Sequence, residues 1–120
     1  MKVCITAQGS GLDAAVDERF GRAPSFVLVE TDTLQAEPLE NSANQENHGA
    51  GVAAAMTVGR SGASALITGH CGPKAFEVLR AAGVNVYTGA FGSVRDAVQA
   101  FLDGKLDKAD DPDVPAGGAR

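Results

Sequence analysis
Residues 65–102 run twice through one cycle: a short apolar segment, a glycine-rich turn, and an amphipathic helical segment. Ala65 to Thr68 leads through Gly69-His70-Cys71-Gly72-Pro73 into a helix ending at Ala82. Val84 to Thr88 then leads through Gly89-Ala90-Phe91-Gly92 into a helix with Val94, Ala97, Val98, Phe101 and Leu102 on its apolar face. Strand–helix alternation of this kind requires parallel strands joined by right-handed crossovers. Local signals agree. Pro73 suits a first helical turn, Gly83 a helix end after Phe76, Leu79 and Ala82, and Ser93 with Asp96 a capping box.

The first half adds further strands. Lys2 to Ala7 alternates, with Val3, Ile5 and Ala7 on one face and Cys4 and Thr6 on the other. Phe26 to Glu30 is a continuous apolar run of the kind buried on both faces. Leu34 to Leu39 returns after a turn at residues 31–33 as a hairpin partner, and Pro38 marks it as an edge. Residues 12–24 lack periodicity and read as a structured loop, and residues 41–47 as a polar surface loop. His48-Gly49-Ala50-Gly51 opens a helix with Val52, Ala55, Met56 and Gly59 on one face. The expectation is a single α/β domain over residues 1–106, a three-layer α/β/α sandwich on a mixed five-stranded sheet. Residues 107–120, rich in proline, glycine and aspartate, are expected to form a flexible tail.

Charge excludes several functions. The chain carries 10 basic and 15 acidic side chains, a net −5, which argues against nucleic acid or acidic membranes as partners. Three basic and two acidic residues fall in 61–102, making the segment with the glycine turns the least acidic. No apolar run reaches the ~18–20 residues of a membrane span, and the start is too short and polar for a signal peptide. Two cysteines cannot frame a disulfide scaffold of this length. The reading is a cytoplasmic, monomeric protein with reduced thiols.

Glycine is the informative excess, at 15 of 120 residues against an average of about 7%. In open α/β sheets ligands sit beyond the carboxyl ends of the parallel strands. Three glycine-paired loops leave such ends here: residues 8–11, 69–73 and 89–92. Helix N-termini offer unpaired N–H groups, and glycine lets a ligand approach them. The expectation is an anion-binding crest, to be weighed against glycines that merely build tight turns.

Individual side chains carry alternatives. Arg19 and Arg22 form a two-arginine anion clamp or pair with Asp17 and Glu18. His48 binds a metal, donates to an anion or simply lies exposed, and Cys71, whose thiolate a helix N-terminus favours, is reactive or ligates a soft metal; these two are the candidate metal ligands. Neither CxxC nor HxxxH spacing is present, which argues against structural zinc. Cys4, inside a strand, reads as an inert core thiol. Asp13 and Asp17 form a potential carboxylate pair, but no strand supplies the central acid that two-metal hydrolysis needs.

The segments SGLDAAVDERFGRAP and LITGHCGPKAFEVLRAAGVNVYTG, with the HGAG turn between them, resemble the dinitrogenase iron-molybdenum cofactor family over about residues 1–106. That family includes nitrogenase accessory proteins of the NifX and NafY type, NifB C-terminal domains, and stand-alone orange-protein-like members, the type this lone domain is most similar to. The resemblance implies a ribonuclease H-like fold without nuclease activity. It implies a non-catalytic carrier of an anionic molybdenum–copper sulfide or iron-molybdenum-cofactor-like cluster, held non-covalently. The implied pocket comprises Arg19, Phe20, Gly21, Arg22, His48, Gly49, Ala50, Gly51, Gly69, His70, Cys71, Gly72, Pro73, Gly89, Ala90 and Phe91. The implied partner is a cluster-accepting protein. The alternative is a regulatory module acting with a nucleotide-dependent ATPase.

Overall fold
The computed structural model describes residues 1–41 and 50–109. The strands are β1 (Lys2–Ala7), β2 (Ser25–Glu30), β3 (Ala36–Glu40), β4 (Ala65–Ile67), β5 (Asn85–Thr88) and β6 (Asp107–Lys108). The helices are α1 (Ala50–Arg60), α2 (Pro73–Ala81) and α3 (Val94–Leu102). They build one mixed sheet of order β3-β2-β1-β4-β5-β6. β1, β4 and β5 are parallel, while β2, β3 and β6 join antiparallel.

The alternation in β1 sorts the core into two faces. Val3, Ile5 and Ala7 pack with Val27, Val29, Ile67 and the α3 residues Val94, Ala97 and Val98. Cys4 faces the other way, with Phe26, Leu28 and Leu66, under Ala54, Ala55 and Val58 of α1 and Phe76 and Leu79 of α2. This is the expected three-layer arrangement. Thr6, fully buried, donates its one hydroxyl proton to the Asp17 carbonyl (2.6 Å) and accepts from the Thr68 hydroxyl (2.9 Å), so its hydroxyl is satisfied within the core. Burial pushes the Cys4 thiol up, keeping it protonated.

Five expectations are corrected. The sheet has six strands, not five, because Asp107 and Lys108 pair with Thr88 and Tyr87. The Ala109 amide continues the ladder to the Val86 carbonyl at 2.8 Å, so the sheet runs past the expected boundary at residue 106. Two charged residues carry no alternation, and only the open edge of β5 organises them. The remaining corrections concern helix faces. α1 buries Ala54, Ala55 and Val58, whereas Met56 is 47% exposed. A helix apolar on nearly every side has no phase of its own. Here the glycines set it, since a Cβ on Gly59 would lie 3.0 Å from the Ala82 Cβ. α2 buries Ala75, Phe76 and Leu79, while Ala82 lies beyond its end and is exposed. Leu102, the last residue of α3, is also exposed. The Ser93–Asp96 capping box is present as the sequence predicts. Residues 42–49 and 110–120, which include most of the polar loop, the start of the HGAG turn and the tail, lie outside the described residues.

Candidate functional site
Parallel pairing of β1, β4 and β5 brings the three glycine-paired loops to one end of the sheet. The loops there are stitched to one another. The Gln8 amide donates to the Ala15 carbonyl (2.8 Å), Val16 to Gly92 (2.8 Å), Gly89 to Gly69 (3.3 Å) and Ala90 to Thr68 (3.2 Å). The His70 amide donates to the Glu18 carbonyl at 2.8 Å. The expected crest of open amides is therefore partly corrected: much of its hydrogen-bonding capacity is engaged internally. Gly89 and Gly92 adopt φ of +84° and +87°, the left-handed turns that glycine allows.

What stays open is a cleft of about 340 Å³ lined by Phe20, Gly21, Gly51, Val52, His70 and the residues from Gly72 to Ala75. Three predicted segments meet in it: the 19–22 loop, the start of α1, and the β4–α2 turn. The first turns of both helices face this space, and neither contains an acidic residue. Gly72 is the α2 N-cap and supplies no side-chain cap, and Pro73 follows it. Among its described lining residues the cleft holds Lys74 and His70 but no carboxylate. In a chain of net −5, that combination favours an anion through first-turn amides and the helix dipoles. Phe20, Val52 and Ala75 supply the apolar lining.

The other described residues of the predicted set lie outside the lining of this cleft. Cys71 is 1% exposed and packs in the core beneath α1 and α2. Ala90 is 3% exposed and packs on the α3 side of the sheet. Ala50 is the first residue of α1, and Arg22 lies on the exposed surface beside Gly21. His48 and Gly49 are outside the described residues. Arg19 and Phe91 line a neighbouring groove of about 380 Å³ with Gln8, Val16, Asp17, Glu18 and Gly92. Phe91 is 77% exposed there.

Arg19 adopts the ion-pair alternative. Its Nη2 lies 3.3 Å from Asp17 Oδ2, and its backbone amide donates to Oδ1 at 2.8 Å. The Asp17 side chain is 2% exposed against 68% for Arg19. Hydrogen bonding to Asp17, and its charge, hold the Arg19 guanidinium above its ordinary pKa. Asp13 pairs instead with Arg95 at 3.3 Å. The two aspartates are thus drawn to different arginines and form no carboxylate pair.

A larger hollow of about 550 Å³ lies at the opposite end of β1, with Lys2, Glu30 and Glu37 among its lining. Its two carboxylates make it a poor anion site. Sequence reasoning missed Asn41, which is 1% exposed and bonded through Nδ2 to the Ala23 carbonyl at 2.7 Å.

Comparison with known proteins agrees with this architecture. The apo orange protein of Desulfovibrio gigas is 46% identical and superimposes with a TM-score of 0.90, over 93% of this chain and 95% of that one. A Thermotoga protein, TM1290, described as a candidate NifB protein, is 36% identical with a TM-score of 0.77, over 89% of this chain and 91% of that one. The uncharacterised protein MJ0580 of Methanocaldococcus jannaschii is 35% identical over 111 residues, covering 90% of this chain and 91% of its own length. Residues 1–104 match the family model described as dinitrogenase iron-molybdenum cofactor. The chain belongs to the dinitrogenase iron-molybdenum cofactor family.

Proposed function
We propose that the chain is a non-catalytic carrier for an anionic, molybdenum-containing metal–sulfur cluster, of the molybdenum–copper sulfide or iron-molybdenum-cofactor-like type, held without covalent attachment. The observation that carries this reading is the cleft where the first turns of α1 and α2 meet, with no carboxylate among its described lining residues. A thiometallate cluster is a soft polyanion with diffuse charge. First-turn amides and Lys74 match its charge, while Phe20 and Val52 match its polarisable sulfide surface. Such cargo brings its own sulfide ligands, so the protein need supply none. The burial of Cys71 supports that view, and a reducing, cytoplasmic setting is the one proposed for a chain with two buried thiols. No described helix is long and apolar enough to cross a membrane. The strand order supports the ribonuclease H-like reading of the fold. A cluster-accepting protein would approach this same rim, where exposed Phe91 offers a contact.

Reconstitution tests the reading. The full chain incubated anaerobically with tetrathiomolybdate and copper(I) should gain visible charge-transfer bands and a matching mass adduct under native conditions. A colourless protein with no adduct would overturn it.

A further inference from the structure
We propose that Asn41 is the positioning residue that sets the loop wall of the cleft. The inference rests on the cluster-binding reading of that cleft. Phe20 and Gly21 form one wall, and their segment contains neither helix nor strand. Such a wall keeps its shape only if its backbone groups are tied elsewhere. Asn41 follows the end of edge strand β3 and supplies a tie. Its Nδ2 donates to the Ala23 carbonyl at 2.7 Å and reaches the Gly21 carbonyl at 3.5 Å, the second contact long and weak. One amide group therefore addresses two carbonyls of the wall from a side chain that is 1% exposed.

The other end of the same amide shows that packing alone did not select it. Asn41 Oδ1 is the one buried side-chain polar atom among the described residues without a hydrogen-bond partner. Burying an acceptor in that state is unfavourable, so an apolar residue of similar size would remove a penalty. Asparagine stands there because its donor is needed by the loop. The two carbonyls also fix the orientation of the amide, since only its NH₂ end can serve them. With Phe20 stacked on Phe26 (ring centroids 5.8 Å apart), the wall is held by its aromatic ring at one point and by Asn41 at another.

Asn41→Asp keeps the shape and replaces the donor with an acceptor. Asn41→Leu removes donor and orphan acceptor together without adding charge, and serves if the aspartate variant fails to fold. Two readouts are taken on full-length protein well below its unfolding midpoint. Binding of tetrathiomolybdate with copper(I) should weaken at least tenfold relative to the wild-type chain. Independently of any ligand, backbone {¹H}–¹⁵N NOE values of residues 20–23 should fall while those of β1 stay unchanged. If the loop keeps its wild-type order and the folded variant binds within twofold of wild type, the proposal is wrong. If the wild-type chain itself binds no thiomolybdate, the cluster reading fails, and the loop-order measurement alone decides the role of Asn41.

Discussion

Gly69 lies so close to Glu18 that a Cβ placed on it would stand 2.8 Å from the Glu18 Cα and 2.9 Å from its carbonyl oxygen. The neighbouring His70 amide donates to that same carbonyl. This seam joins the loop after β1 to the turn after β4, and it separates the cleft from the groove beside Phe91. The glycine at 69 serves a close approach between two backbones of the protein itself.

Gly69→Ala should therefore destabilise the fold by about 1–3 kcal/mol, the usual range for overpacking, because backbone cannot swing aside as a long side chain can. Urea denaturation measures it. Gly72→Ala is the control: a Cβ there meets nothing within 4 Å and φ is an ordinary −70°. A Gly69→Ala midpoint equal to that of the control would contradict the seam.

Gly72 leads to the opposite prediction. Neither its dihedral angles nor its packing requires glycine, yet it occupies an N-cap without a side-chain cap. Gly72→Asp should cap α2. A replaced glycine gains little at such a position, a few tenths of a kcal/mol, with the carboxylate adding about 0.3–1 kcal/mol at the helix N-terminus. The apo midpoint should hold or rise slightly, while thiomolybdate affinity falls at least tenfold because the carboxylate occupies the anion position. Paired thermal melts and binding titrations check both signs. A variant that binds as tightly as wild type would remove the α2 N-terminus from the site.

The Met1 ammonium and Glu30 form an exposed pair at 2.6 Å. Their hydrogen bond raises the amine above its ordinary 8.0 and lowers Glu30 below its ordinary 4.5. The lowered carboxyl contributes stability that is present above its unfolded pKa and is lost as pH falls through the folded value. The raised amine contributes stability that is complete below its unfolded pKa and is lost as pH rises through the folded value. The contribution should therefore be largest between about pH 5 and 8. Melting wild type against Glu30→Gln from pH 3 to 10 should show a small difference that vanishes at both extremes and shrinks with salt. A difference independent of pH would point to packing instead.

Much of the fold is legible in the residues. Alternation at Val3, Ile5 and Ala7 gives the two-faced strand, the Ser93–Asp96 spacing gives the cap, and Pro38 gives the edge. What escapes is whatever needs a partner. Asp107 and Lys108 form a strand only because β5 leaves an edge open. Alanine-rich α1 has apolar residues all round, so Gly59 against Ala82, and not periodicity, turns Met56 outward. At the site, the spacing of glycines finds Gly51, Gly72 and the loop at Gly21. It cannot show which amides the loops take from one another, and it reads Asn41 as loop polarity because nothing local links it to Ala23, 18 residues earlier.

The most direct test of the cleft is a ¹H–¹⁵N titration of the apo protein with tetrathiomolybdate. The largest shifts are expected at Phe20, Gly21, Gly51, Val52, Lys74 and Ala75, with β2 and β3 unmoved. Shifts centred on the hollow at Lys2, Glu30 and Glu37, or on the groove at Phe91, would contradict it.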